Sequence, residues 1–261
     1  MSDLSHVAVI IPARWAATRL PGKPLADIHG KPMIQHVYER VMAAGVSVAL
    51  VATDDQRIAD AVARFGGRAA MTSPDCASGT DRVAEAARQL TQPIIINVQG
   101  DEPLLEPQMV RQAARPLLDD PALPMATLAH PITRAADLAD PGVVKVVADA
   151  RSQALYFSRA PIPYHRDRYG DCVPCRAENP VSEGEAIPPG VMQHVGIYGF
   201  RSEFLQTYAA LEPAPLEQWE KLEQLRALWH GYAIHVGVTE HRVVGVDSPD
   251  DLERARALLA S

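Results

Sequence analysis

Short apolar runs alternate with helically spaced apolar positions through the first hundred residues. Residues 7–11, just after His6, are continuously apolar, as a strand buried on both faces requires. Beyond a loop rich in Pro, Arg and Lys, Pro32 stands where a helix can begin. Met33, Ile34, Val37, Tyr38, Val41 and Met42 then recur at helical spacing, and Gly45 closes the helix. Residues 46–52 predict a second strand, and Thr53-Asp54-Asp55 offers caps to a helix carrying Ile58, Val62 and Phe65. Gly66-Gly67 leads to a third strand near residues 69–72. A helix over about residues 80–90 buries Val83, Ala84, Ala87 and Leu90. Residues 94–98 are a fourth apolar run, ending in Gln99-Gly100-Asp101-Glu102-Pro103. This alternation predicts an α/β fold, a doubly wound, mostly parallel Rossmann-like sheet with helices on both faces.

The second half is less regular. Residues 143–147 and 154–158 predict a hairpin, and a long polar stretch over residues 161–190 shows no period and predicts a loop or arm. Residues 194–200 resume as a strand. Leu216, Trp219, Leu222, Leu225 and Trp229 predict one amphipathic helix stopping before Gly231. Residues 233–238 and 243–246 predict strands. Ser248-Pro249-Asp250-Asp251 then opens the last helix with a cap, a proline and an acid in the first turn.

The chain has 261 residues, 47% of them hydrophobic and 22% charged, which suits a globular fold and not a disordered one. One large α/β domain over residues 1–261 fits this length. A net charge of −7 argues against a general nucleic-acid partner, which needs an excess of Lys and Arg. It leaves room for an anionic small substrate in a local basic pocket. No apolar run is long enough to cross a membrane, the first ten residues lack a basic signal-peptide start, and three cysteines set up no disulfide framework. The expectation is a cytoplasmic protein.

Candidate chemistry begins in the loop Pro12-Ala13-Arg14-Trp15-Ala16-Ala17-Thr18-Arg19-Leu20-Pro21-Gly22-Lys23-Pro24. It follows the first buried strand, where an α/β sheet presents its carboxyl-end crevice to a ligand. Arg14, Arg19 and Lys23 would repel one another without an anion or water between them, and the small residues let backbone N–H groups reach phosphate oxygens. The same composition suits a solvated basic loop. Asp101 lies just beyond the fourth strand and can reach the same crevice, where bare carboxylates suit Mg²⁺. Asp247 follows an apolar run in the same way, although Asp-Ser-Pro-Asp is also a good helix start. Glu102 points the other way from Asp101 in an extended backbone.

A third group comprises Arg159, Arg166, His194, Tyr198, Glu223 and Gln224. Arg159 follows Leu155-Tyr156-Phe157 and could meet a substrate carboxylate. His194 and Tyr198, four apart in a strand, face one side. Glu220, Glu223 and Gln224 share one face of the expected helix, a face that more often only meets solvent. Cys172-x-x-Cys175 lacks the second ligand pair of a zinc site and reads as free thiols, with His165 as a neighbouring metal-binding alternative.

Seven motifs in order strengthen the reading. They are residues 12–24 above, Val51-Ala52-Thr53-Asp54, Ser78-Gly79-Thr80-Asp81-Arg82, Asn97-Val98-Gln99-Gly100-Asp101-Glu102-Pro103, Tyr156-Phe157-Ser158-Arg159, His194-Val195-Gly196-Ile197-Tyr198-Gly199 and Leu222-Glu223-Gln224-Leu225. Together they resemble the 3-deoxy-manno-octulosonate (Kdo) cytidylyltransferases over residues 7–258. The first motif alone marks only the wider nucleotidyltransferase group. The resemblance implies a nucleotidyltransferase sheet with a smaller mixed β/α sugar-binding and dimerisation part. Residues 1–132 would mainly bind nucleotide and residues 143–240 mainly sugar and a second copy. It implies CTP and Kdo as substrates, CMP-Kdo for lipopolysaccharide synthesis and pyrophosphate as products, Mg²⁺ as cofactor and a homodimer. Ala13, Arg14, Arg19 and Lys23 would hold the triphosphate, and Thr80, Arg82 and Gln99 would lie beside the cytidine. Asp101 and Asp247 would hold the metal, with Lys23 and Arg14 as further catalytic groups. Arg159, Arg166, His194, Tyr198, Glu223 and Gln224 would grip the sugar acid. Residues 169–189, with their Cys pair, depart from the family pattern.

Attack of a sugar hydroxyl on the α-phosphorus asks for charge neutralisation and in-line placement, so no side chain has to serve as a general base. The nearest rival is a cytidylyltransferase for another sugar acid such as a sialic acid, because one methylene in a pocket is worth only about 1–3 kcal/mol. A non-catalytic nucleotide sensor would not require both aspartates beside the basic loop. A plain NAD-binding fold is poorer still, since its glycine-rich turn is absent after the first strand.

Overall fold

The computed structural model describes residues 3–16, 20–166, 187 and 190–260. The strands in chain order are β1 (Val7–Ala13), β2 (Asp27–Ile28), β3 (Lys31–Pro32), β4 (Val48–Thr53), β5 (Ala69–Met71) and β6 (Ile94–Asn97), then β7 (Met125–Pro131), β8 (Lys145–Ala148), β9 (Ala154–Ser158), β10 (Met192–Arg201) and β11 (Ile234–Val238). The helices are α1 (Met33–Ala43), α2 (Gln56–Arg64), α3 (Gly79–Ala87), α4 (Pro107–Asp119) and α5 (Ala135–Ala139). After them come α6 (Ser202–Ala210), α7 (Pro215–Glu220), α8 (Leu225–Trp229) and α9 (Pro249–Leu259).

Nine strands form one sheet with the path β11-β7-β10-β6-β1-β4-β5, and β8 and β9 branch from β10. From β6 through β1 and β4 to β5 every pairing is parallel. The antiparallel β10 then joins β6 to β7, and β11 returns parallel to β7. The architecture is thus the α/β sheet that the alternation predicts, with a mixed second half. Val7, Val9 and Ile11 of β1 enter an apolar cluster under α1, α2 and α4. Ala8 and Ile10 enter another under α3 and α6. Alternate residues of one strand thereby hold both layers, which is why its run is unbroken.

Local signals behave as their chemistry dictates. Asp55 caps α2 by accepting from Arg57 N, Ser78 caps α3 from Asp81 N, and Ser248 with Asp251 forms a reciprocal capping box on α9. Elements also occur where the pattern assigns none. In α4 the apolar face of Met109, Val110, Ala113, Ala114 and Leu117 is clear, but Pro116 sits within the helix and hides it from a reading that treats proline as a stop. Strand β7 is buried along six of its seven residues, with Thr127 and His130 inside the run.

Two expectations need correcting. Residues 216–229 are not one helix: Lys221 takes a left-handed conformation (φ 54°, ψ 46°) that ends α7, and α8 begins four residues later. Of the expected apolar stripe, Leu222 and Leu225 are buried and Leu216 packs against the same cluster, whereas Trp219 is 76% and Trp229 54% exposed. Residues 243–246 form no strand. Val246 is buried beside Ile28, Met33, Leu252 and Ala255, and its N–H donates to Asp101 O at 2.9 Å.

Candidate active site

A cleft of about 400 Å³ opens at the carboxyl ends of β1 and β6. One wall comes from Pro12, Ala13, Arg14, Ala16, Lys23 and Pro24, with Gly79 and Thr80 at the start of α3 and residues 97–101 after β6. This is the ligand crevice of an open α/β sheet. Its tightness depends on Gly100, where a Cβ would lie 2.7 Å from Pro12 O. The first loop is closed by Gly22 N–H donating to Trp15 O at 3.2 Å. Gly22 has φ +69°, and a Cβ there would strike the Trp15 ring at 2.9 Å. The Arg57 guanidinium covers the same ring at 3.5 Å, so α2 fixes the loop through a cation–π contact.

At the cleft edge Lys23 Nζ lies 2.6 Å from Asp101 Oδ2 and 3.0 Å from Asp247 Oδ1. The aspartates come from distant parts of the sequence, Asp101 after β6 and Asp247 just before α9. The Val246 N–H bond to Asp101 O sets them side by side, and the N-cap of α9 is taken by Ser248. Asp247 is therefore not the cap that its sequence context suggests, and its carboxylate turns to Lys23. Burial alone would lower the Lys23 ammonium, yet the two carboxylates hold it above the ordinary lysine value. The neighbouring Glu102 is buried, and burial together with the Asp101 charge pushes its carboxyl up to about 8.

The facing wall is Tyr198 of β10 and residues 221–224, the irregular turn between α7 and α8. Four contacts fix that turn. A buried bidentate pair, Arg226 Nε–Glu217 Oε2 at 2.9 Å and Nη2–Oε1 at 2.6 Å, ties α8 to α7. Tyr208 OH donates to Glu223 O at 2.7 Å, and Tyr198 OH to Gln224 Oε1 at 3.0 Å. Thr80 Oγ1, from the opposite wall, donates to Glu223 Oε2 at 2.7 Å. Asn97 Oδ1 and Gln224 Nε2 belong to cleft-lining residues and have no hydrogen-bond partner among the described residues.

A family model described as cytidylyltransferase matches residues 8–235. The 3-deoxy-manno-octulosonate cytidylyltransferase of Syntrophotalea carbinolica is 51% identical over 97% of this chain and 98% of its own length. That of Halorhodospira halophila is 48% identical over 97% and 96%. The chain belongs to the 3-deoxy-manno-octulosonate cytidylyltransferase family. A solved structure of CMP:2-keto-3-deoxy-manno-octonic acid synthetase complexed with CTP superposes with a TM-score of 0.86 at 46% identity, covering 97% of this chain and 98% of that one.

Of the residues that the resemblance to this cytidylyltransferase family singles out, Ala13, Arg14, Lys23, Thr80, Gln99, Asp101, Tyr198, Glu223 and Gln224 line one cleft, with Asp247 joined to it through Lys23. Others do not line it. Arg82 is fully buried behind the wall, bonded to Asp54 Oδ2 at 2.7 Å and Thr72 Oγ1 at 2.5 Å. Arg159 spends Nε on Glu220 O at 2.7 Å and Nη1 on Pro141 O at 2.8 Å. Arg166 is exposed. His194 sits behind Tyr198, their ring centroids 5.4 Å apart, and burial pushes its imidazole down to about 3. Its Nε2 is 2.9 Å from Thr127 Oγ1, the hydroxyl that also serves Ile197 O at 2.8 Å in the bulge of β10. Glu220 turns from the cleft altogether and accepts from Ser158 Oγ at 2.6 Å and Arg159 N at 2.9 Å. The shared helical face of Glu220, Glu223 and Gln224 is thus replaced by three separate attachments. Lys221 lines the cleft and was not singled out, because its place depends on a left-handed backbone that no residue type there announces. Arg19, Cys172 and Cys175 lie outside the described residues, as does most of the stretch 161–190.

Proposed function

We propose that this cleft transfers CMP from CTP to Kdo, releasing pyrophosphate, with the nucleotide on the β1, β6 and α3 wall and the sugar acid against residues 221–224. The division of the chain into a mainly nucleotide-binding 1–132 and a mainly sugar-binding 143–240 follows from that placement. The observation that carries the residue assignment is the pair of carboxylates, Asp101 and Asp247, sharing one cation beside the basic loop.

Arg14 and Lys23 are placed to meet triphosphate oxygens, with the Ala13 main chain beside them, and Arg19 extends the same loop. Gln99 stands against the base and sugar of the nucleotide, its Nε2 already donating to Gly196 O at 3.1 Å. Tyr198, Glu223 and Gln224 offer donors and acceptors to the hydroxyls of Kdo. The anomeric hydroxyl oxygen bonds to the α-phosphorus and gives its proton to solvent, as the bond from that phosphorus to the bridging oxygen breaks and pyrophosphate leaves with the electron pair. The protein's part is alignment and charge compensation. Asp101 and Asp247 fit a divalent cation, since two carboxylates that share an ammonium can share a hard metal ion with substrate phosphates. Bound there, Mg²⁺ would supply positive charge at the α-phosphate and at the attacking hydroxyl. A homodimer belongs to the same proposal, with Leu155, Trp219, Trp229 and Val238 as large exposed apolar residues of the second half that a second copy would cover.

The test is pyrophosphate release with CTP, UTP or ATP against Kdo, N-acetylneuraminate or no sugar, with and without EDTA. Release confined to CTP with Kdo and abolished by EDTA is the expected result. Release with N-acetylneuraminate in place of Kdo would discard the sugar assignment. No release with any pair, from protein that still binds CTP, would favour a sensor.

A further inference from the structure

Thr80 is assigned to the nucleotide by family resemblance, but its contact in this structure runs the other way. It is the second residue of α3, on the nucleotide wall, and it is 4% exposed. Its hydroxyl donates to Glu223 Oε2 at 2.7 Å, joining positions 143 residues apart in sequence. A hydroxyl has one proton to give, and here it is given to the carboxylate of the facing wall. Glu223 lies between α7 and α8, outside any helix, so no helical neighbours restrict its side chain. Its main chain is pinned by Tyr208 OH at 2.7 Å, and Thr80 pins the other end. A glutamate ordered from scratch loses rotamer freedom, a cost already met when the carboxylate is held before substrate arrives. The second carboxylate oxygen, Oε1, can accept from a sugar hydroxyl in the cleft that Glu223 lines.

We infer that Thr80 is a positioning residue for the acceptor: its hydroxyl crosses the cleft to hold Glu223 for the sugar acid, and it does not read the nucleotide. This rests on the proposal that Kdo lies against residues 221–224. It makes the two walls interdependent, because the start of the nucleotide-side helix α3 sets the geometry of the sugar side.

The experiment is steady-state kinetics of the full-length enzyme, with KM for CTP and for Kdo measured separately, in T80V, T80S, E223A and T80V/E223A. T80V keeps the shape and removes the donor. It is expected to raise KM for Kdo about tenfold while leaving KM for CTP within about twofold of wild type. T80S restores the donor and is expected to restore KM for Kdo. In the E223A background, which removes the acceptor, the T80V change is expected to add little, since both act through one bond. A rise in KM for CTP without a rise for Kdo would overturn the inference, as would unchanged constants or full additivity with E223A. If T80V unfolds below the assay temperature, T80A replaces it under the same criteria. A wild-type enzyme inactive with CTP and Kdo would instead sink the functional proposal itself, so the two failures are distinguishable.

Discussion

The two walls of the cleft are built on different principles. The first rests on regular parallel strands, and its functional side chains hang from strand ends and a helix start: Ala13 at the end of β1 and Arg14 just after it, Asp101 after β6, Thr80 in α3. The second rests on an irregular turn, residues 221–224, held by side chains reaching in from α3, β10 and α6 and by an ion pair between the flanking helices α7 and α8. On the first wall the backbone ladder places the chemistry, and on the second wall individual polar contacts do so. Substitutions should therefore separate into effects on turnover at the first wall and effects on geometry and stability at the second.

The largest effect is expected from removing the buried pair that folds the second wall. Glu217→Ala leaves Arg226 buried without its bidentate partner and should destabilise the protein by about 3–5 kcal/mol. Urea denaturation reads this directly, and a loss below 1 kcal/mol on the order-of-magnitude scale of exposed pairs would show that the turn does not depend on the pair. Next comes the chemistry of the first wall. Asp101→Ala and Asp247→Ala should each lower kcat by about 10²–10³-fold with much smaller changes in KM for Kdo. Near-normal turnover by either variant at saturating Mg²⁺ would remove that aspartate from the catalytic set.

A smaller effect follows from His194. Its folded imidazole resists protonation down to about 3, whereas an exposed histidine takes a proton near its ordinary value of 6.5. Below pH 6.5 the unfolded chain therefore binds one proton more than the native chain. Stability from this group is full above pH 6.5 and is lost as pH falls toward 3, by up to about 1.4 kcal/mol per pH unit. His194→Gln should flatten that part of the acid limb in denaturation measured from pH 7 to 4, and an unchanged limb would contradict the burial argument. The smallest effect concerns the backbone of the second wall. Lys221→Gly relieves a left-handed non-glycine residue and should stabilise by no more than about 1 kcal/mol, read as a shift in the urea midpoint. A clear loss of stability would mean that the Lys221 side chain contributes contacts that outweigh the strain.

The same contrast explains what could be read from the amino-acid pattern. Strand β1 is visible because both its faces are buried, and a basic loop at its carboxyl end already points to a crevice. Asp101 is visible for the same reason. Asp247 is visible only as part of a helix start. Deciding its role requires knowing that Ser248 takes the cap and that Val246 docks on Asp101. The second wall is visible only in part. Glu223 and Gln224 stand out through family resemblance, but a helical period over residues 216–229 predicts the wrong backbone. The break at Lys221 depends on Glu217 pairing with Arg226 and Glu220 pairing with Ser158, contacts that no local rule encodes. In α4 the obstacle is local, one proline inside an otherwise clear apolar period.

The central claim is that two aspartates far apart in sequence, Asp101 and Asp247, act as one cation site at the edge of the cleft. The most direct test is Mn²⁺ binding followed by electron paramagnetic resonance, with CTP present and Kdo absent, in wild type, Asp101→Asn and Asp247→Asn. The account predicts that each single variant weakens Mn²⁺ binding by about tenfold or more and that both do so to a similar extent. Wild-type affinity in Asp247→Asn, with affinity lost in Asp101→Asn, would contradict it and return Asp247 to the role of a helix start.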